Sequence, residues 1–282
     1  MDYRNFGAAR IALPRIGQGT WEFPEHGARR NEAKAALRRG VELGMVHIDT
    51  AEMYGSGRVE ELIAEALDGL RREQVFLASK VLPANASFKQ TIAACERSLR
   101  RLRTNYLDLY LLHWPGSFPI EETMGAMEQL ISEGKVRYIG VSNFDVEELK
   151  AARNALDREP LVCNQVLYHL RERGIETRLL PFCKERDVAV VAYTPFGRGR
   201  FPGAGASPGV LERIAKKNDK SVRQVILNFL TRDQNVFTIP KASRREHVEE
   251  NAAAAGWELP ADDVRAIDEA FPVSDVGRLA TL

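Results

Sequence analysis

The sequence contains few cysteines and no long hydrophobic run. Its three cysteines, Cys95, Cys163 and Cys183, show neither CxxC spacing nor a nearby histidine partner, which argues against a disulfide framework and against a zinc site. We therefore expect a reduced, cytoplasmic protein without a metal. No apolar run approaches the roughly 20 residues of a membrane span, and the amino terminus lacks a basic stretch followed by an apolar one. Neither export nor membrane association is expected.

An excess of charge of one sign is also missing. The 282 residues include 40 Lys and Arg against 39 Asp and Glu, which gives a net charge of +1. Neither sign forms a long block, so the electrostatic footprint of a nucleic-acid-binding protein is missing and no nucleic-acid partner is expected. The cluster Arg97, Arg100, Arg101 and Arg103 is interpreted as a solvated helix face.

What the sequence does contain is an alternation of strand-like and helix-like segments. Short apolar runs predict about eight strands, at 16–20, 46–49, 75–80, 107–113, 136–142, 161–167, 188–193 and 236–240. Amphipathic stretches between them predict helices, among them 29–44, 59–73, 88–103 and 119–134. Gly44 and Gly134 end two of these stretches, where a left-handed cap suits glycine.

This alternation predicts an α/β fold with parallel strands and right-handed crossovers. An open doubly wound sheet that binds a dinucleotide should carry GxGxxG after a strand, but GQGTWE has Glu22 in place of the third glycine. The count of eight favours a (β/α)8 TIM barrel with its active site at the carboxyl ends of the strands. Since no linker divides the chain, residues 1–282 are expected to form a single domain. The Gly/Pro-rich stretch from Phe196 to Gly209 predicts a loop.

Four polar residues lie at or just beyond the ends of three successive predicted strands. Asp49 ends the second strand and Tyr54 follows it, Lys80 ends the third, and His113 ends the fourth. A phenol is a poor proton donor at neutral pH until a cation lowers its pKa, and Lys80 can be that cation. Asp49 can keep the lysine charged, and His113 can orient a carbonyl or assist the proton transfer. The set predicts protonation of a carbonyl oxygen, with hydride from a nicotinamide, since no side chain can donate hydride.

The same residues lie in motifs that resemble those of a known family. GTW, HIDTAEMYG, ASKV, YLDLYLLHWP, IGVSNF, NQVLYH, AYTPFG and IPKAS…HVEEN occur in the order and spacing of the aldo-keto reductases over nearly the whole chain. The similarity is greatest to bacterial members that reduce a broad range of aldehydes and methylglyoxal. The resemblance implies NAD(P)H-dependent reduction of aldehydes and ketones to alcohols. It also implies a catalytic tetrad of Asp49, Tyr54, Lys80 and His113, with Tyr54 as the general acid.

Further polar residues at the later strand ends suit a nicotinamide. Amides and a hydroxyl can bind its carboxamide, and an aromatic ring can stack on its face. The resemblance assigns these roles to Ser142, Asn143, Gln165 and Tyr193. The other cofactor contacts implied by the resemblance are Thr20, Asp49, Thr194, Phe196, Glu250 and Asn251. Arg198 or Arg200, in the glycine-rich loop, is expected to reach the pyrophosphate.

A phosphate site is predicted after the eighth strand. Lys241, Ser243 and Arg244 precede a predicted helix start, where an anion is best held, and a 2′-phosphate is the expected anion. Ala242 and His247 stand where animal aldose reductases have a phosphate-binding Ser and Arg. Because Lys241 and Arg244 remain to pair with a phosphate, NADPH is expected rather than NADH.

The predicted substrate pocket is largely apolar and accepts a small-molecule carbonyl. Small or aromatic carbonyl compounds and 2-oxoaldehydes such as methylglyoxal fit this description. The predicted substrate-binding residues are Trp21, Met53, Tyr54, His113 and Trp114. The resemblance also implies a monomer.

Two other functions fit parts of the sequence. A barrel that binds a nicotinamide as a redox sensor would keep the same tetrad. An aldolase would instead use Lys80 to form a Schiff base with its substrate. His47, two residues before Asp49, is expected to be a buried layer residue in any of these proteins.

Overall fold

A computed structural model describes residues 1–199, 209–274, 277 and 279–281 of the chain. Within the loop predicted from Phe196 to Gly209, residues 200–208 lie outside the described part, and Arg200 is among them. The predicted contact of Arg200 with a pyrophosphate therefore has no structural counterpart here.

Ten strands are found in the described part of the chain, and eight of them form one parallel sheet in chain order. The strands are β1 (Tyr3–Asn5), β2 (Ala12–Pro14), β3 (Gln18–Gly19), β4 (His47–Asp49), β5 (Phe76–Val81), β6 (Leu107–Leu112), β7 (Val136–Ser142), β8 (Leu161–Leu167), β9 (Ala189–Tyr193) and β10 (Val236–Thr238). The sheet runs from β3 to β10, and each of its strands overlaps one of the eight predicted from the sequence. Strands such as β6 are buried along their whole length, as a sheet covered on both faces requires.

The sheet closes on itself between its first and last strands. Gly17 N donates a hydrogen bond to Thr238 O over 2.8 Å, and Gly19 N donates one to Pro240 O over 3.2 Å. The predicted (β/α)8 barrel is confirmed. The strand ends that carry the predicted site residues therefore lie around one rim.

Helices surround the barrel. They are α1 (Gly27–Glu42), α2 (Arg58–Ala66), α3 (Phe88–Leu102), α4 (Ile120–Ser132), α5 (Val146–Asn154), α6 (Leu179–Glu185), α7 (Val210–Lys217), α8 (Val222–Leu230), α9 (Arg245–Ala252) and α10 (Ala261–Ala270). The helix predicted over 59–73 ends early, at Ala66, and Gly69 then takes a left-handed φ of 79°. Gly44 and Gly134 have φ of 88° and 70°, as expected for glycines that follow a helix. Among the described helices, none is long and apolar enough to cross a membrane.

A short hairpin of β1 and β2, which the sequence analysis did not predict, closes the amino-terminal end of the barrel. Phe6 follows β1 and is fully buried. Its ring centroid lies 5.0 Å from that of Phe237 and 5.8 Å from that of Phe76. His47 is also buried, 5.2 Å from the Phe76 ring, which confirms its expected place in an internal layer. Side chains fill this end, so the polar residues of interest lie at the opposite end.

Candidate active site

Lys80 lies near the carboxyl end of β5 with its side chain fully buried. Its Nζ donates to Asp49 Oδ2 at 2.8 Å, to the Thr50 carbonyl at 2.8 Å and to Tyr54 Oη at 3.2 Å. These acceptors match the three hydrogens of an ammonium group. Burial lowers the pKa of Lys80, but the charge of Asp49 and the contact with Tyr54 outweigh it and leave this pKa raised. The lysine is therefore a buried, fully coordinated cation.

Tyr54 lies in the loop that follows β4 and is 9% exposed. The sequence predicts that Lys80 lowers the pKa of this phenol. The net shift has the opposite sign, because burial raises the pKa of Tyr54, and Lys80 only opposes that effect. The phenol thus stays protonated at neutral pH. Since Lys80 donates to Oη, the phenolic hydrogen remains available for an acceptor other than the lysine.

His113 follows β6, and its ring centroid lies 5.8 Å from that of Tyr54. Burial lowers the pKa of His113 to about 2, with Lys80 adding to the effect. The imidazole is therefore neutral at any pH near 7. Its Nδ1 is buried and has no hydrogen-bond partner within the described part of the chain. A neutral imidazole can orient a carbonyl by a hydrogen bond, but it has no extra proton to transfer.

Asp49 is held from two further sides. Gln165 of β8 donates from Nε2 to Asp49 Oδ1 over 2.7 Å, and Thr20 donates from Oγ1 to the Asp49 carbonyl over 2.8 Å. Gln165 and Asp49 are each 2% exposed. The carboxylate is therefore shared between Gln165 on Oδ1 and Lys80 on Oδ2.

Asn143 connects the end of β7 with the loops on both sides of it. Its Nδ2 donates to the His113 carbonyl at 3.0 Å and lies 3.1 Å from Ser142 Oγ, while its Oδ1 accepts from Tyr193 Oη at 2.7 Å. Asn143 and Thr194 both have left-handed φ, of 62° and 55°, which costs energy for residues with a side chain. The predicted nicotinamide residues thus lie beside the tetrad. One of them, Asn143, adopts a strained backbone there, as does the predicted cofactor contact Thr194.

The predicted phosphate residues lie at the start of α9. Arg244 is the N-cap residue of this helix, and its Nη2 lies 3.0 Å from His247 Nε2. Lys241 and Arg244 are exposed, and Ser243 lies between them in sequence, partly buried. Two cations and a helix start at the surface suit an anion. The residues present therefore fit a phosphate group.

Farther along α9, Glu250 and Asn251 differ in their surroundings. Glu250 Oε1 accepts a hydrogen bond from Ser221 Oγ over 2.6 Å. Asn251 is 2% exposed, and its Oδ1 has no hydrogen-bond partner among the described residues. A buried acceptor without a partner is costly unless something else supplies the donor. Asn251 therefore suits a ligand that carries an N–H group.

The start of the glycine-rich loop crosses the rim of the barrel. The Arg198 guanidinium lies 4.5 Å from the Trp21 ring centroid, and the Arg223 guanidinium lies 5.2 Å from that of Phe196. Arg198 thus contacts a predicted substrate residue in this structure. Phe196 is packed against the protein core, with the Arg223 side chain over it.

A cavity of about 780 Å³ adjoins the tetrad. Met53, Trp114 and Leu167 contribute apolar side chains to its lining, and residues 279–281 also line it. Tyr54, His113 and Trp21 are not among the lining residues. Met53 and Trp114 are 38% and 39% exposed and are chain neighbours of Tyr54 and His113. The cavity therefore opens next to Tyr54 and His113.

Sequence reasoning missed several groups that shape this site. The Thr50 carbonyl coordinates Lys80, and a backbone acceptor of this kind has no signature in residue type. The acidic residues Asp145, Glu147, Glu148 and Glu172 also line the cavity. The only available signal for them was the position of Asp145 just after the SNF segment, which fits an N-cap.

The sequence and the structure both match known proteins. A model of the Aldo/keto reductase family matches residues 15–271. Methylglyoxal reductase YeaE of Escherichia coli is 47% identical over 263 residues, which cover 93% of this chain and 92% of that protein. Glyoxal reductase of Bacillus subtilis is 36% identical over 260 residues, which cover 92% of this chain and 89% of that protein.

Solved structures agree with these matches. An aldo/keto reductase from Klebsiella pneumoniae in complex with NADP and acetate is 41% identical with a TM-score of 0.92, covering 100% of both chains. A structure of aldo-keto reductase from Klebsiella pneumoniae in complex with NADPH is 40% identical with a TM-score of 0.93, again over 100% of both chains.

Proposed function

The chain belongs to the Aldo/keto reductase family, and from this premise we propose that it uses NADPH to reduce aldehydes and ketones to alcohols. The observation that carries the proposal is the buried contact of 3.2 Å between Lys80 Nζ and Tyr54 Oη. It places a protonated phenol against a permanent cation, which is the arrangement needed to donate a proton and then stabilise the phenolate. We assign the enzyme to the NADPH-dependent aldehyde reductases.

The proton step follows from the contacts of Tyr54. When bound, NADPH would supply the hydride for the carbonyl carbon. Tyr54 gives its phenolic proton to the carbonyl oxygen, and Lys80 stabilises the resulting phenolate across the same hydrogen bond. Asp49 keeps Lys80 charged. His113, being neutral, orients the carbonyl oxygen toward Tyr54 without transferring a proton.

The cofactor contacts expected from the sequence are part of the proposal. Asn251, with its unpartnered buried Oδ1, suits the amino group of adenine, and Lys241 and Arg244 suit the 2′-phosphate. Ser142, Asn143, Gln165 and Tyr193 would hold the nicotinamide, next to the tetrad. The remaining proposed contacts are Thr20, Asp49, Ser243, Thr194, Phe196, Arg198 and Glu250.

The substrate class follows from the rim of the cavity. Tyr54 and His113 are the chain neighbours of Met53 and Trp114, two large, apolar and exposed side chains of the rim. Four acidic residues, Asp145, Glu147, Glu148 and Glu172, also line the cavity. Such a rim accepts small or aromatic carbonyl compounds, and the names of the relatives from Escherichia coli and Bacillus subtilis point to methylglyoxal and glyoxal. We propose 2-oxoaldehydes, methylglyoxal first, as substrates.

The Schiff-base alternative is disfavoured by the state of Lys80. A nucleophilic amine must be neutral, whereas the raised pKa of Lys80 keeps it an ammonium with three acceptors around it. Borohydride added with methylglyoxal should therefore leave no covalent adduct on this residue.

We also propose a cytoplasmic monomer that consists of one domain over residues 1–282. The three cysteines are all buried and free, which fits a reducing compartment. Size-exclusion chromatography with light scattering tests the monomer, and a dimer mass would refute it.

The loss of NADPH absorbance on addition of methylglyoxal tests the proposed activity, with NADH in a parallel assay. We expect turnover with NADPH, weaker turnover with NADH, and an alcohol product that is visible by proton NMR. Tight binding of NADPH without turnover would refute the reductase and favour the redox sensor.

A further inference from the structure

Gln165 and Asp49 form a hydrogen bond across the interior of the barrel. They lie on β8 and β4, with three strands of the sheet between them. The Nε2 to Oδ1 distance is 2.7 Å, and both side chains are almost completely buried. A short bond to a buried carboxylate from so distant a part of the sequence indicates a specific role.

We propose that Gln165 is a positioning residue for the proton donor, acting through Asp49 and Lys80 on Tyr54. The bonds form one chain, which runs from Gln165 Nε2 to Asp49 Oδ1, from Asp49 Oδ2 to Lys80 Nζ, and from Lys80 Nζ to Tyr54 Oη, over 2.7, 2.8 and 3.2 Å. This role is separate from any contact of Gln165 with a nicotinamide. It rests on the proposed reductase function.

The physical basis is the division of the Asp49 charge between two donors. Gln165 offsets part of this charge at Oδ1 and fixes the carboxylate plane, so that Oδ2 faces Lys80. Thr20 cannot replace it, because Thr20 bonds to the Asp49 backbone carbonyl. Without the Gln165 donor, more of the negative charge of Asp49 acts on Tyr54. Since a nearby anion disfavours a phenolate, Tyr54 becomes a weaker acid.

The titratable groups that face the hydrogen bonds from Gln165 to Tyr54 come from several strands. Besides Lys80 and Tyr54, they are His47 on β4, His113 after β6 and Cys163 on β8. His47 and His113 are neutral, and burial raises the pKa of Cys163 far above neutrality. None of these three changes charge near pH 7, so a shift near neutral or alkaline pH reports on Tyr54 and its partners.

Two substitutions of Gln165 separate its donor from its size. Gln165→Leu removes the N–H group. Gln165→Glu places a carboxyl next to Asp49, and two carboxyl groups at this distance share one proton. While that proton is held, the new carboxyl still donates to Asp49, and when it is lost the two groups repel. Gln165→Glu should therefore retain activity at acidic pH and lose it as the pH rises.

Ser142→Ala is the matched control. Ser142 is a proposed nicotinamide contact like Gln165, and it is equally buried, but its only described side-chain bond is to Asn143. Among the described residues, Ser142 has no hydrogen bond to Asp49, Lys80 or Tyr54. A residue that acts only by holding the cofactor should weaken NADPH binding without moving the ionisation of Tyr54.

The first measurement needs no cofactor. The phenolate absorbance of the protein is titrated in the ultraviolet, and subtraction of the titration of its Tyr54→Phe variant isolates the signal of Tyr54. Circular dichroism confirms that each variant is folded. We expect Gln165→Leu to raise the Tyr54 pKa by about one unit, and Ser142→Ala to leave it in place. An unchanged or lowered Tyr54 pKa in folded Gln165→Leu overturns the proposal.

The second measurement is the pH profile of kcat at saturating NADPH, with NADPH affinity followed by tryptophan fluorescence. We expect Gln165→Leu to lower kcat by about 10- to 100-fold, the loss of one hydrogen bond to a charged group, and Gln165→Glu to recover activity at acidic pH. If Gln165→Leu lowers only the affinity for NADPH and keeps the wild-type pH profile of kcat, Gln165 is a cofactor contact and the proposed positioning role is wrong. If the wild-type protein lacks turnover, the proposed function is wrong. The titration of Tyr54 still tests whether Gln165 acts on Tyr54 through Asp49 and Lys80.

Discussion

Lys80 Nζ donates to Asp49 Oδ2 over 2.8 Å, and the two side chains are 0% and 2% exposed. A buried ion pair is costly to assemble but even more costly to break, because either partner alone is an uncompensated buried charge. The pair therefore links the stability of the barrel rim to the chemistry proposed for Tyr54.

The variant Lys80→Met tests the stability side of this link. It leaves Asp49 buried with only the Gln165 amide on it, so the free energy of unfolding should fall by about 3–5 kcal/mol. Urea denaturation measures this loss. The double variant Asp49→Asn, Lys80→Met removes both charges and should recover much of the stability. If Lys80→Met unfolds at the wild-type urea concentration, the pair is not isolated from water as described.

The two buried histidines should make stability fall on acidification. Burial lowers the pKa of His47 from 6.5 to about 4 and that of His113 from 6.5 to about 2. The unfolded chain therefore binds more protons below pH 6.5, and stability that is present above this pH is lost as the pH falls toward these values. Each histidine contributes up to about 1.4 kcal/mol per pH unit.

The contribution of His113 can be separated by substitution. His113→Asn should flatten the dependence of the unfolding free energy on pH between 6.5 and 4. His26→Asn is the matched control, because the His26 side chain is 81% exposed. Equal slopes for the wild type and His113→Asn would show that the imidazole is not held neutral in the folded protein.

Arg244→Ala tests the proposed phosphate site. Loss of the guanidinium should raise the KM for NADPH about 10-fold or more and leave the KM for NADH almost unchanged, because only NADPH carries the 2′-phosphate. Arg245→Ala is the control, since both arginines are exposed and each pairs with a glutamate, Arg244 with Glu246 at 3.4 Å and Arg245 with Glu249 at 3.0 Å, but only Arg244 is a proposed phosphate contact. An equal rise in both KM values for Arg244→Ala would place the phosphate elsewhere.

Phe6→Ala tests whether the amino-terminal hairpin belongs to the barrel core. Phe6 is completely buried between Phe76 and Phe237, so its truncation should cost about 3–5 kcal/mol of stability. Tyr3 lies in the same hairpin and is 50% exposed. Tyr3→Ala should therefore cost far less, and equal losses for the two variants would contradict the packing described for Phe6.

The barrel and the convergence of the tetrad could be predicted because both follow from local pattern. Parallel strands bring their carboxyl ends to one rim, so Asp49, Lys80 and His113 needed only correct strand boundaries. The hairpin was missed because YRN and ALP are too short and too polar or Pro-containing to resemble strands. It is held by the burial of Phe6, which depends on the assembled barrel.

The electrostatics of the site were harder to predict. Sequence reasoning had Lys80 lower the pKa of Tyr54, but the dominant effect is desolvation, which depends on how deeply the loop after β4 is buried. The bond from Gln165 to Asp49 spans 116 positions of the sequence. No local motif encodes such a contact, because it forms only when β4 and β8 face each other across the barrel.

A single turnover of NADPH with methylglyoxal, by the wild-type protein and by Tyr54→Phe, tests whether Tyr54 is the proton donor, after NADPH affinity has been measured for both. We expect equal NADPH affinity and a reduction step that is about 100- to 10,000-fold slower without the phenol. A Tyr54→Phe protein that binds NADPH equally well and reduces methylglyoxal at the wild-type rate would contradict this role of Tyr54.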